Sequence, residues 1–317
     1  HASAIVAIAD TNGDLAANGA GNINVKTGSG LIKVDGTVDV SGVAGTLGTS
    51  NGILGASAGG NVLIDTNQSV ADTVISVKSS PGHAQAIGVS AATSGAGTIS
   101  VTLGGDVSAT GVTSARGVSA IGGSGPITIT TNADLDLDGE IVSSGLGILA
   151  QGTGAITVTT NDDVQADSGD GIVATGGVGN VAVNVNANSN IDADNAGASG
   201  KGINATSTTG NVTVTTATGT NITADSDGIV ASSTGIGDGG TDLANDGNVS
   251  VNASGSVGLG NRVEGRGIAA SVTNGASAGR VDVQLASTAQ VFSSQAGIQA
   301  ANNGLGFHAP QECQRIL

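Results

Sequence analysis

Gly202-Ile203-Asn204-Ala205, Gly210-Asn211-Val212-Thr213-Val214-Thr215, Asn221-Ile222-Thr223-Ala224-Asp225 and a restart at Gly228-Ile229-Val230-Ala231 make one turn of a repeating pattern. Each run alternates apolar and polar residues, the period of a strand with one buried face. The runs are too short to build a sheet alone. A unit of this size that cannot bury its apolar side must stack on copies of itself, which is how a solenoid is written in sequence.

The copies are present. The opening run recurs at Gly88, Gly117, Gly147, Gly171, Gly202, Gly228, Gly267 and Gly297, each followed by Val or Ile and then, two positions on, Ala. The second run recurs at Ile99/Val101, Ile127/Ile129, Ile156/Val158, Val181/Val183, Val212/Val214, Val249/Val251 and Val281/Val283, and the third begins at Val107, Leu135, Val164, Ile191, Ile222, Val257 and Val291. Three strands per turn with Gly, Asn, Asp and Ser between them predict an all-β, right-handed parallel β-helix of about nine coils. At about 4.8 Å per coil the rod is roughly 45 Å long. Its core is expected to be ladders of Val, Ile, Leu and Ala, with Gly at corners that need positive φ. Residues 60–306 carry the regular repeat. Residues 1–59 form looser coils, with Ile23/Val25, Leu31 to Val34, Val38/Val40 and Gly52-Ile53-Leu54 as candidate strands.

The chain has 317 residues, 55 of them Gly, with two Phe and no Trp, Tyr or Met. Such Gly-rich, aromatic-poor composition often means disorder, but a disordered chain has no reason to hold aliphatic residues at regular offsets. A formal charge of −16 with nine scattered Lys and Arg opposes phosphate backbones and anionic lipid, which argues against nucleic acid and against a polybasic membrane anchor. One cysteine, Cys313, leaves no internal disulfide framework. The start at His1 without Met or leader suggests a piece of a longer precursor. Residues 307–317 differ in composition from the repeat and read as a non-native or disordered tail, leaving the rod without native caps. Extra residues at 232–246 read as a loop leaving one corner.

Four surface features are candidates for chemistry. Thr128/Thr130, Thr157/Thr159 and Thr213/Thr215 point outward from the second run, an arrangement like the Thr-x-Thr arrays of ice-binding solenoids. Unequal coil lengths are expected to spoil register across that face, so ordinary β-propensity of Thr explains it as well. Asp167, Asp194 and Asp225 end the third run at equivalent places, where stacked carboxylates could take Ca²⁺ as a cofactor; turn-forming Asp needs no ion. Leu149, Val173 and Val230 place apolar groups at the outward position of the first run, a candidate self-association face. The 232–246 loop is a fourth contact candidate. Catalysis has little footing, since no acid, base and nucleophile fall into a spacing that would bring them together, and aromatic platforms for sugars are missing.

The cycle Gly-Asn-Val-Thr-Val-Thr-Thr, Asn-Ile-Thr-Ala-Asp-Ser-Asp-Gly-Ile-Val-Ala at 210–231, echoed at 154–174, resembles the passenger domains of Gram-negative autotransporters and, in style, the repeats of filamentous-haemagglutinin-like adhesins. The resemblance covers roughly residues 60–306. It implies a non-catalytic β-helix exported through the outer membrane and displayed or secreted, meeting host cells, matrix or neighbouring bacteria, with membrane contact only through a barrel domain outside this chain. A carbohydrate-active β-helix enzyme and a purely structural stalk are the alternatives; the enzyme would need converging acids with a basic partner.

Overall fold

The computed structural model describes residues 2–9, 19, 21–27, 30–35, 49–66, 73–79, 85–111, 114–131, 140–194, 199–235 and 247–303; side chains are described for all of these except 2–4, 30–35 and 73. The described strands form three parallel sheets of ten, nine and eight strands, and in each sheet neighbours follow chain order. The chain lays one strand on each sheet per coil, making a three-stranded parallel β-helix. The first sheet runs from Ala2–Ile8 to Ile298–Asn302, the second from Ile23–Lys26 to Val281–Leu285, and the third from Gly30–Asp35 to Ser256–Val257. Nine coils result, with a tenth begun by Ile298–Asn302.

Alternation decides which side chains enter the core. In Ile203–Ser207 and Val212–Thr216 the first, third and fifth residues are buried and the second and fourth half-exposed. Ile203, Ala205, Val212, Val214 and Ile222 are fully buried and Ala224 is 1% exposed. They stack on identical or similar residues above and below, as in Ile172↔Ile203↔Ile229 and Val181↔Val212↔Val249. β-Branched residues suit this arrangement, because each packs against its equivalent on the next pleat.

The glycine that opens each coil has a reason other than positive φ. A Cβ on Gly202 would run into Ile222 Cγ2 of the same coil and lie 2.6 Å from the carbonyl oxygen of Gly228 in the next. Gly52, Gly88, Gly117, Gly147, Gly171, Gly228 and Gly267 meet the same two obstacles, a β-branched residue of the third sheet and the next glycine's carbonyl. The column is where third-sheet side chains press against first-sheet backbone and close the coil. None of these glycines has positive φ, which is found instead at Gly219, Gly235, Gly247, Gly258, Gly260 and Asn188.

One further expectation changes. The third strand of the fourth coil is Glu140–Ser143, and Ile141 rather than Leu135 pairs with Val107 and Val164. Ile141 supplies the Cγ2 that packs over Gly117. The coil before Gly60 is in unbroken register with the next one, Ile5↔Ile53, Ile23↔Val62 and Leu31↔Val74. Val38/Val40, Leu135, His83, residues 236–246 of the insertion and the 307–317 tail lie outside the described residues.

Candidate functional site

The second sheet presents the most regular surface. Its outward columns run Ser100↔Thr128↔Thr157↔Ala182↔Thr213↔Ser250 and Thr102↔Thr130↔Thr159↔Asn184↔Thr215↔Asn252 without a slip. The expected loss of register does not occur, because differences in coil length are absorbed at the corners and the strands keep equal length. All six Thr candidates therefore share one face. Over these six strands neither column holds a charged residue; Lys26 and Asp65 lie beyond one end and Asp282 beyond the other.

The apolar candidates share the first sheet, in the column Ser119↔Leu149↔Val173↔Asn204↔Val230↔Ala269. Leu149 is only 9% exposed, and Val173 and Val230 are half-buried. Stacking on both neighbours removes most of the surface that a solitary outward aliphatic would offer. Asn204, which interrupts the column, donates to Asp170 Oδ2 at 3.0 Å.

Charge collects on the third sheet and the corners beside it. A groove of about 300 Å³ there is lined by Glu140, Asp163, Gln165, Asn190, Asp192, Asn221 and Thr223, together with Val164 and Ile191, and by no Lys or Arg. Its acids have structural work. Asp163 Oδ1 accepts the Asn190 N–H at 2.6 Å, and Asp192 Oδ1 accepts the Thr223 hydroxyl at 2.9 Å and the Asp194 N–H at 3.1 Å. An acid and a base do converge at the next corner. Asp227 accepts from the Arg266 backbone at 2.7 Å and from its guanidinium at 3.0 and 2.5 Å. Burial alone would raise the Asp227 carboxyl, but the bonds and charge of Arg266, with a smaller contribution from Lys201, hold it below its ordinary value. The pair joins two coils and does not face the groove.

Asp194 and Asp225 are brought together, since each follows a paired residue, Ala193↔Ala224. Burial first, and then the carboxyl of Asp225, push Asp194 up to about 6. Asp167 is held by its own strand, its Oδ1 accepting from Gln165 Nε2 at 3.1 Å, and is not among the groups acting on Asp194. Among the described residues no group of three or more His, Cys, Asp or Glu is arranged to hold a metal ion.

One set of functional side chains escapes a reading based on alternation. The residue just before a run lends its side-chain oxygen to the backbone N–H of its equivalent one coil on. Asn180 accepts from Asn211, Asn211 from Asn248 and Asn248 from Arg280, all at 2.8–2.9 Å. Asp163 and Asn190 do the same before the third run, accepting from Asn190 and Asn221, and Asp170 before the first, accepting from Lys201. These corner amides have left the β-ladder and need an acceptor. The signal was visible as Asn or Asp immediately preceding the first buried residue of a run.

Comparisons of the chain with protein-family models, with curated proteins and with solved structures found no match. The functional reading therefore rests on the chemistry of the surfaces themselves.

Proposed function

We propose that the chain is a non-catalytic segment of an exported surface adhesin, of the autotransporter-passenger kind, which makes contact through its second sheet. The observation that carries the proposal is the segregation of charge. Among the described residues most acids sit on the third sheet and its corners, while two uncharged columns, of small hydroxyl and amide groups except at Ala182, run over six strands, about 24 Å at 4.8 Å per step. Such a face approaches another anionic surface without strong repulsion and offers hydrogen bonds to neutral partners such as glycans or matrix protein. Contacts spread over many coils suit multivalent, individually weak binding.

The test is adhesion of the purified chain to cultured epithelial cells and to immobilised collagen and fibronectin. Saturable binding that is lost in a Thr157→Glu/Thr213→Glu double variant with unchanged circular dichroism supports the proposal. Absence of binding to all of these surfaces would favour the spacer reading. The strict register of the Thr columns favours a second reading, ordering of water at an ice surface. Thermal hysteresis of a dilute solution that disappears in the same variant would support it; normal freezing would dispose of it.

A further inference from the structure

Residues 258–266 depart from the coil just after the short strand Ser256–Val257, whose pairing with Asn221–Ile222 is the last ladder of the third sheet. Beyond it, among the described residues, only the isolated bridges Val257↔Val291 and Val263↔Ser293 continue the third side. Gly258 and Gly260, with φ of 75° and 83°, turn the backbone outward. The segment is then pinned back. Asn221 Oδ1 accepts the Leu259 N–H at 3.1 Å and its Nδ2 donates to the Leu259 carbonyl at 2.9 Å. Val263 is fully buried, and Arg266 grips Asp227.

A fourth fastening has a different reach. Asn261 Nδ2 donates to Asp194 Oδ2 over 67 residues, two coils back, whereas the Asn211, Lys201 and Arg266 backbone bonds each span a single coil. Asp225 occupies the coil between. Its Oδ2 is buried with no partner other than the neighbouring Asp194 carboxyl. The charged groups facing Asp194 are Asp225, Asp192 on its own strand and Glu264 on the departing segment, all acidic.

We infer that residues 258–266 form a strap whose hold on the coil two levels away is closed by a proton shared between Asp194 and Asp225 and released when that proton leaves. With the proton in place, the Asp194 O–H donates to Asp225 Oδ2 and its other oxygen takes the Asn261 amide. Without it, Asp192, Asp194, Asp225 and Glu264 repel one another, and the repulsion pushes the segment that carries Glu264 away from Asp194. Because the folded-state value of Asp194 is raised from 3.8 to about 6, the stabilisation is complete below the lower value and is lost as pH rises through the upper one.

Hydrogen exchange of the full chain tests this, with rates corrected to protection factors at about pH 5 and about pH 7.5. Amides of residues 258–266 are expected to lose roughly tenfold protection at the higher pH, while those of Ile203–Ser207 and Val212–Thr216 do not change. In Asp194→Asn, which keeps the shape and cannot lose a proton, strap protection is expected to be independent of pH. Equal protection of the wild-type strap at both pH values overturns the inference, as does an Asp194→Asn strap that loosens like wild type. The wild-type comparison alone decides the matter if the variant does not fold.

Discussion

Gly202 and Gly260 show why the same residue type serves opposite purposes in this rod. Gly202 has ordinary φ but no room for a Cβ, whereas Gly260 has φ of 83° with nothing within 4 Å of a Cβ. Gly202→Ala must move either Ile222 or the backbone of Gly228, and overpacking of this kind costs about 1–3 kcal/mol or more. Gly260→Ala meets only the left-handed backbone preference, about 1–2 kcal/mol. Urea unfolding of the two variants checks the order, and the prediction fails if Gly260→Ala is the more damaging. Asp227 and Asp194 set opposite pH dependences. Asp227 is lowered from 3.8, so its contribution is present above that value and is lost as pH falls through the still lower folded value. Asp194 is raised to about 6, so its contribution disappears as pH rises. From these two groups the melting temperature is therefore expected to be highest near about pH 4 and to decline as pH rises toward about 6. In Asp194→Asn the decline on the alkaline side becomes shallower, which a calorimetric pH series measures. Asp227→Ala, which strands the Arg266 guanidinium and backbone N–H, is expected to cost about 2–3 kcal/mol at neutral pH.

At the level of strands, period-2 alternation made the buried ladders legible, because burial in a sheet leaves no freedom about which face a residue takes. Alternation cannot choose between Leu135 and Ile141, which both fit it. The choice comes from a contact with Gly117 that depends on how the coil closes. The Thr columns were legible as outward residues, but their register was not, since a variable coil length does not reveal that the variation lies in the corners. The corner Asn and Asp were visible in sequence but their partners were not, for a related reason: each bond joins a side chain to an amide about one coil later, and the partner is known only once the coils are stacked. Removing one such oxygen has a limited expected effect where water can replace it. Asn180→Ala, at an exposed corner, is expected to cost about 0.5–1.5 kcal/mol, and a loss above about 3 kcal/mol would mean the corner is part of the core.

For the whole molecule, the folded state is a stack in which nearly every bond reaches only the adjacent coil, so its stability is a sum of neighbour terms. Pulled from its two ends, such a stack sheds coils singly, each releasing roughly 30 residues and about 100 Å of contour length. The Asn261–Asp194 bond breaks that rule by tying a coil to the second one below it. Under tension it behaves as a rip-stop. The extension trace should show one higher force peak, followed by a step about twice the ordinary length, and that peak should weaken above the pH at which Asp194 ionises. A rod stitched in this way is expected to yield coil by coil up to a set load and then to hold.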